Sequence, residues 1–591
     1  MLVTTQDLPK LRMDVQLSRY AALDTETTGL CPFKDDRLFV ITIATSMGNV
    51  YYLDFRDGSL SRECIPALFS TFSGTLFMHN AKFDMHHCYN EGLDLSAHDV
   101  HCTEAIGRIV KNDNLKYSLD ALTGEKSDVV KKYITTNKLW VKYFSMGVEE
   151  RKPQFDKVPI EIMQPYAEQD AIITLQLGLQ QLDSIIAQQN AIVADNSIKK
   201  MEYDLYSLVE QEKKLTKVLF RMEQKGVRVD TKYITAAHIF ETAKYTKAAL
   251  DFEAITSVPF KDSNKVLATA FDRVGERYPT TDKGNPSFRD EVLESMSSPL
   301  ARLLQDYRHS RMMANTFLSN LLEYKDANDI IHPNFKQAGT ATGRMSCREP
   351  NLQNVPAKDE DQAEFPIRKC FIAEKDFLWF SIDWKAMEYR LMLDIAGELS
   401  LINAIKAGLD VHQATADMVG VTRTQAKSIN FALLYGVGNA KLGRMIGVSE
   451  TKAASIRRTY YSKLPKVAHF LKTVQRVAER RKFIINTYGR KLRFDNRDFA
   501  YKAPNYLIQG GCGDIMKLAL IGIDTILKGK KSYVFLTVHD EADIMVHKDE
   551  LHLLDDIKSC MENVYEHKHL PMEVSLEYSE TNWHELKEWK K

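Results

Sequence analysis

Asp24 and Glu26, two positions apart in the segment ALDTETTGL (22–30), share one face if that segment is a strand, because strand side chains alternate. Carboxylates held side by side repel and raise each other's pKa unless a cation sits between them. HNAKFDMHH (79–87) adds Asp84, and YAEQDAI (166–172) places Tyr166 and Asp170 four apart, on one face of a helix. Four acids and a Tyr from three segments suit a phosphodiester hydrolase in which two divalent cations, about 3.5–4 Å apart, activate a water and stabilise the leaving oxygen. Oxygen donors favour Mg²⁺ or Mn²⁺. Asp24, Glu26, Asp84 and Asp170 are therefore candidate metal ligands.

A second set lies in the C-terminal half. SYVFLTVHDEADIMVH (532–547) reads as two apolar strands, 533–538 and 542–546, with His539, Asp540 and Glu541 between them. Tight hairpins prefer Asn-Gly or Asp-Gly, so adjacent carboxylates at the tip point to chemistry. WFSIDWKAMEYRLML (379–393) offers an apolar strand with Asp383 near its end, then Glu388 and Arg390; alone, Asp383 reads equally well as a helix N-cap. TATGRMSCREPNLQNVP (340–356) is a loop by its Gly, Pro and Asn content, and Arg344, Gln353 and Asn354 are donors suited to nucleic acid. In VTRTQAKSINFALLYGVG (421–438), Thr422 with Gln425 fits a capping box and Gly436 a C′ stop, which predicts a helix over 423–435. Arg423, Lys427, Phe431 and Tyr435 then form one stripe. Arg in the first turn opposes the helix dipole unless an anion binds there, so Arg423 and Lys427 read as triphosphate ligands, with Phe431 and Tyr435 facing sugar and base.

The elements that must position these groups divide a chain of 591 residues into two to four expected domains. Short apolar runs at 20–55 predict strands of one sheet, 160–190 and 194–230 read as helical with a stop near Gly226, and 230–330 reads as helical and polar. A domain boundary is expected at 190–200. Eight scattered Cys without a CxxC disfavour a zinc site or disulfide framework and fit a reducing compartment. No membrane span and no signal peptide are expected, hence a cytoplasmic location. Net charge is zero, but residues 421–493 carry 17 Lys/Arg against 2 Asp/Glu, while 548–591 carry 6 against 11. That basic block is a candidate polyanion contact.

DTETTG, NAKFD and YAEQD, in that order, resemble the DEDDy-type 3′–5′ exonuclease domain, with all five functional positions filled. From about 200 onward the chain is similar to the polymerase domain of family A DNA polymerases. TATGR with PNLQNVP resembles the first motif of that family. IDWKAMEYR resembles motif A, RTQAKSINFALLYG motif B, PNYLIQG the template-side motif with Asn505 and Gln509, and VHDEAD motif C. LDVHQATA places His412 where the family has a triphosphate-contacting His, and SETNWHELK resembles the family's end. Two departures stand out: Lys385-Ala386 replaces the usual Ser-Gln, and Tyr501 stands where an Arg is usual.

The resemblance implies an α/β and α+β multidomain fold: an RNase H-like exonuclease domain (1–195), then a right-hand polymerase with thumb (196–330), first part of the palm (331–400), fingers (401–495) and second part of the palm (496–591). It implies that Asp383 and Asp540 hold two Mg²⁺ ions, with Glu541 secondary and His539 near the primer end. Arg423, Lys427 and His412 would meet the triphosphate, and Glu388 would exclude a ribose 2′-OH. Phe431 implies strong rejection of dideoxynucleotides, and Arg344, Gln353, Asn354, Arg390, Asn505 and Gln509 would contact DNA. The expected substrates are primer-template DNA and dNTPs. Further expectations are a monomer with a replicative helicase, primase and single-strand-binding protein as partners. The resemblance begins at the exonuclease, which suggests a phage or organelle-type replicative enzyme. A nuclease with an inert polymerase half, a non-catalytic scaffold and a single-subunit RNA polymerase fit less well, given Asp383, Asp540, Lys427, Arg423 and Glu388 together.

Overall fold

The structure is a computed structural model that describes all residues except 114–115, 126–127, 146–147, 195–203, 282, 357–362, 495 and 591. The expected boundary at 195/196, residues 195–203 of the 194–230 helical reading and the 495 border of the fingers lie outside the described residues. The N-terminal sheet has five strands in the order Val50–Asp54, Leu38–Thr45, Tyr20–Thr27, Thr75–Met78, Asp99–Cys102. The first three are antiparallel and the last two join in parallel. Leu38–Thr45 (LFVITIAT) is buried at every position because helices cover both faces, so it reads as an unbroken apolar run rather than an alternating one. The helix Ile160–Ala194 crosses the sheet so closely that a Cβ on Gly178 would lie 2.4 Å from the Phe77 ring.

The C-terminal half is built on a second five-stranded sheet, ordered Tyr533–Val538, Glu541–His547, Phe377–Trp384, Val574–Ser579, Lys587–Glu588 and antiparallel throughout. Trp379 anchors its core, stacked on Trp583 at 5.6 Å and edge-on to Phe535 at 4.8 Å. The apolar helix Ala503–Leu527 packs beneath the sheet. Thr231–Thr256 and Pro299–Met312 pair as a helical arm, and residues 399–481 form a lobe of short helices that carries most of the basic block.

One helix, Leu205–Lys225, touches both halves and ends at Gly226, whose φ of +64° provides the stop read from the sequence. Lys213 pairs with Asp99 at 2.5 Å. Glu223 is bonded by Lys82, by His86 at 2.8 Å and by the backbone N–H of Phe335 at 2.7 Å. Glu212 receives Arg490 at 2.6 Å and Lys517 at 2.5 Å, and Arg490 also meets Asp514 at 2.6 Å, all four side chains being buried. Removing one member of such a network leaves an unpaired buried charge, a loss of about 3–5 kcal/mol.

Candidate active sites

The strand Tyr20–Thr27 turns Asp24 and Glu26 to one face, as alternation requires, and the helix Ile160–Ala194 brings Asp170 against them. One carboxylate oxygen from each of the three lies within 4.8 Å of the others, a group that can hold a cation. Asp84, on the helix Lys82–Asn90, is 3% exposed and accepts from the Thr25 N–H at 3.2 Å and the Thr25 hydroxyl at 2.7 Å. Tyr166 is hydrogen-bonded to Asp170. Burial first, then mutual repulsion, lifts Asp24 well above the carboxylate range and pushes Glu26 up to about 8. Burial raises Asp84 to about 7 and also raises Asp170. Hard oxygen donors that repel one another at neutral pH fit a divalent cation.

The second centre forms at the end of the C-terminal sheet. Tyr533–Val538 and Glu541–His547 are joined by a two-residue turn, His539-Asp540, and His539 takes a φ of +59°. The expected tip is thus one residue too long: Glu541 is the first residue of the second strand, opposite Asp383. Only Asp540 protrudes with the turn. Asp383 is pushed up to about 8 by burial, then by Asp540 and Glu541. Burial also raises Asp540, opposed by the nearby Arg344 guanidinium. Glu541 accepts from the Ser381 hydroxyl at 2.6 Å.

Glu388 stands at the first turn of the helix Met387–Ala396, whose N-cap Ala386 has a φ of +52°. It is buried between Arg344 at 3.1 Å and the Tyr435 hydroxyl, which donates at 2.9 Å. Tyr435 also meets Gln509, which ties the loop, the stripe helix and the template-side helix into one cluster. The stripe helix runs Arg423–Leu434 with Tyr435 as its C-cap, and both halves of the Thr422/Gln425 capping box form, at 3.2 and 3.1 Å. Lys427 is exposed, and Phe431 lies 6.1 Å from the His412 ring. An anion does sit near Arg423: Asp410 binds it at 2.9 Å through both oxygens. His412 is buried, bonded to Asn430 at 3.1 Å, and burial lowers its pKa.

The residues expected to contact DNA have the following surroundings. Arg390 is 5% exposed and is held by the Pro571 carbonyl at 2.9 Å and Glu573 at 3.1 Å, so it braces the sheet rather than facing open surface. Gln353, 8% exposed, donates to the Thr537 carbonyl at 3.1 Å beside the hairpin. Asn354 is exposed, and Asn505 and Gln509 are part-buried on one helix. Burial lowers the His539 pKa, as does Arg344. Lys385 pairs with Glu573 at 3.7 Å, and Tyr501 is exposed beneath Lys502. Sequence reasoning missed Asp543 and Ser381. Asp543 is fully buried, accepts from the Trp379 indole N–H at 2.7 Å, and is raised well above the usual range by burial and by Glu541. Its two-residue spacing from Glu541 was the available signal.

Two carboxylate centres at sheet ends, one facing a basic helical lobe, define a two-centre phosphoryl-transfer enzyme. The family model described as DNA polymerase family A matches residues 241–585, and one described as 3′–5′ exonuclease matches 1–187. The chain belongs to DNA polymerase family A and is a DNA-directed DNA polymerase with 3′–5′ exonuclease activity. Such domains generally use divalent metal ions. It is 27% identical to "DNA polymerase DpoZ" of Salmonella phage PMBT28 over 92% of this chain and 93% of that one. It is 28% identical to "DNA polymerase I" of Chloroflexus aurantiacus over 96% of this chain but 61% of that longer protein. A solved structure, the POL domain of Pol1 from M. smegmatis in complex with DNA primer-template and dNTP, has the same fold, with a TM-score of 0.79, 22% identity and 99% of each chain covered. Among the described residues no helix is long and apolar enough to cross a membrane.

Proposed function

We propose that Asp383 and Asp540 hold two Mg²⁺ ions for template-directed addition of dNTPs, and that Asp24, Glu26, Asp84 and Asp170 hold two more for removal of mispaired 3′ ends. When bound, the ions supply charge that lowers the pKa of the attacking hydroxyl or water and neutralises the leaving group. The chain's own residues orient the reactants. Arg423, Lys427 and His412 meet the triphosphate; Phe431 and Tyr435 bound the sugar and base; Glu388 fills the space of a ribose 2′-OH. Arg344, Gln353, Asn354, Asn505, Gln509 and His539 line the path of the primer-template, and Glu541, steadied by Ser381, orients the site. Tyr166 positions the scissile phosphate beside Asp170. The observation that carries this reading is the meeting of Asp383, Asp540 and Glu541 at one sheet end, opposite the Glu388–Arg344–Tyr435 cluster.

The division into exonuclease (1–195), thumb (196–330), palm (331–400 and 496–591) and fingers (401–495) follows the same reading. Similarity to phage polymerases supports a role in phage DNA replication; on this reading the enzyme works as a monomer in the host cytoplasm with a replicative helicase, primase and single-strand-binding protein as partners. Primer extension and 3′ degradation with Mg²⁺ test the site assignments. Asp540→Ala should lose extension and keep degradation, and Asp24→Ala should do the reverse. Normal extension by Asp540→Ala would overturn the assignment of the hairpin.

A further inference from the structure

A cleft of about 790 Å³ opens behind the C-terminal sheet, between the helix Leu205–Lys225, the turn that follows Ala503–Leu527, and exonuclease residues 89–97. Tyr533 lines it, at the opposite end of its strand from the acidic tip. At about 3.3 Å per residue, Asp540 is about 23 Å away.

The lining is strongly basic. Lys214, Lys217, Arg221 and Lys225 recur three or four residues apart and form one stripe along the helix, about 16 Å long. Lys528 and Lys530 face them from the turn, where Gly529 has a φ of +73°. Lys214, Lys217, Lys528 and Lys530 have no ion pair among the described residues. The two carboxylates in the wall are engaged: Asp524 binds Arg221 at 2.9 and 2.5 Å, and Asp94 accepts the Ser96 N–H at 2.8 Å. Asp99, near Lys217, pairs with Lys213. Lys217 is half-buried, and burial lowers its pKa, opposed by Asp99 and Glu210 and aided by the repulsion of Arg221 and Lys213. Lysines on an open helix face cost little, but converging and partly desolvated ones repel at a cost that a bound anion removes.

The donor chemistry fits a phosphodiester chain. Arginine forks suit carboxylates and phosphates alike, whereas lysine ammonium groups meet phosphate as point charges. The arginine in the cleft wall is taken by Asp524, so the unpaired donors are all ammonium groups, and the aromatic rings beside them favour a nucleic-acid strand over an acidic peptide. Tyr89 is 46% exposed at one end of the cleft, and Tyr533 carries Lys225 over its ring at 4.6 Å at another. A positive groove flanked by aromatic rings is the arrangement by which single strands are held without regard to sequence.

We propose that this cleft is a second binding site for single-stranded nucleic acid, separate from both acidic centres, with phosphates on Lys214, Lys217, Lys528 and Lys530 and a base against Tyr89. The test uses the full chain in EDTA with a saturating hairpin primer-template and a labelled circular oligothymidylate of about thirty nucleotides, which offers no 3′ end to the exonuclease. Lys214→Glu/Lys217→Glu/Lys528→Glu should weaken binding of the circle at least tenfold. It should also flatten the salt dependence by about two units of log–log slope, since each single-strand phosphate contact contributes about 0.7. Tyr89→Ala should weaken binding by about tenfold. Lys214→Gln/Lys217→Gln, a milder change, should fall between wild type and the triple variant. With Mg²⁺ restored, extension of a short primer-template should be unchanged in all of them. Equal affinity of wild type and triple variant for the circle, with unchanged melting temperatures, would overturn the proposal. So would tighter wild-type binding of a polyglutamate peptide than of the circle, which would mark the cleft as a dock for an acidic protein.

Discussion

The two acidic centres solve one electrostatic problem in different ways. In the N-terminal centre four carboxylates come from a strand and two helices, and three of them gather within 4.8 Å. Few cations offset them: Arg56 acts on Glu26 and Lys131 on Asp170. In the C-terminal centre Asp383 and Asp540 sit at a strand end and a turn, with Arg344 close enough to draw Asp540 and Glu388 toward ionisation. The first gathers carboxylates with little offsetting charge beside an open cleft lined by Tyr166 and Asp170; the second joins its acids to a basic neighbour, Arg344. On the proposed reading the first centre needs only water and a strand end, whereas the second needs an incoming nucleotide as well.

The largest effect that separates the centres is the reciprocal loss already described. Asp540→Ala should reduce extension by roughly 10³-fold or more while sparing degradation. Loss of both activities in steady-state assays would show the centres to be coupled and break the comparison. Glu541→Ala should cost less, roughly 10–100-fold in extension rate, because a charged hydrogen-bonding group contributes about 1.5–3 kcal/mol; a loss equal to that of Asp540→Ala would make Glu541 a full metal ligand.

A third effect is on stability. Glu26, Asp84 and Asp383 have folded pKa values of about 8, 7 and 8, above their unfolded values. Between the unfolded and folded values the native state binds more protons, so stability falls as pH rises. Without metal, the melting temperature should decline from about pH 5 to pH 8 and then level off. Mg²⁺ should restore most of it at the upper end, and Asp24→Asn should reduce the slope more than Asp540→Asn does, as scanning calorimetry in EDTA can determine. The smallest effect is Gly178→Ala, which crowds the Phe77 ring beneath the N-terminal centre. It should destabilise by about 1–3 kcal/mol, read by chemical denaturation, and slow degradation more than extension.

Alternation and helical spacing carried much of this architecture. Asp24 with Glu26, Tyr166 with Asp170, and the Thr422/Gln425 cap were legible because each depends on neighbours within four residues. The turn at His539 was harder to read, because a His with positive φ breaks the rule that Gly and Asn obey, and Glu541 therefore falls into the strand. The surroundings of Arg390 and Gln353 were hidden for another reason. Whether a donor faces solvent or a carbonyl is decided by distant chain, here Pro571, Glu573 and Thr537. The same holds for Asp543, whose partner Trp379 is remote in sequence.

The helix Leu205–Lys225 has a consequence for editing. Glu223 grips the helix that carries Asp84, and Glu212 is held by Arg490 and Lys517, so one helix is tied to elements of both halves. If the two centres act as proposed, a mispaired end would have to leave its template to reach the second one, and how readily the duplex frays would set the pace of correction.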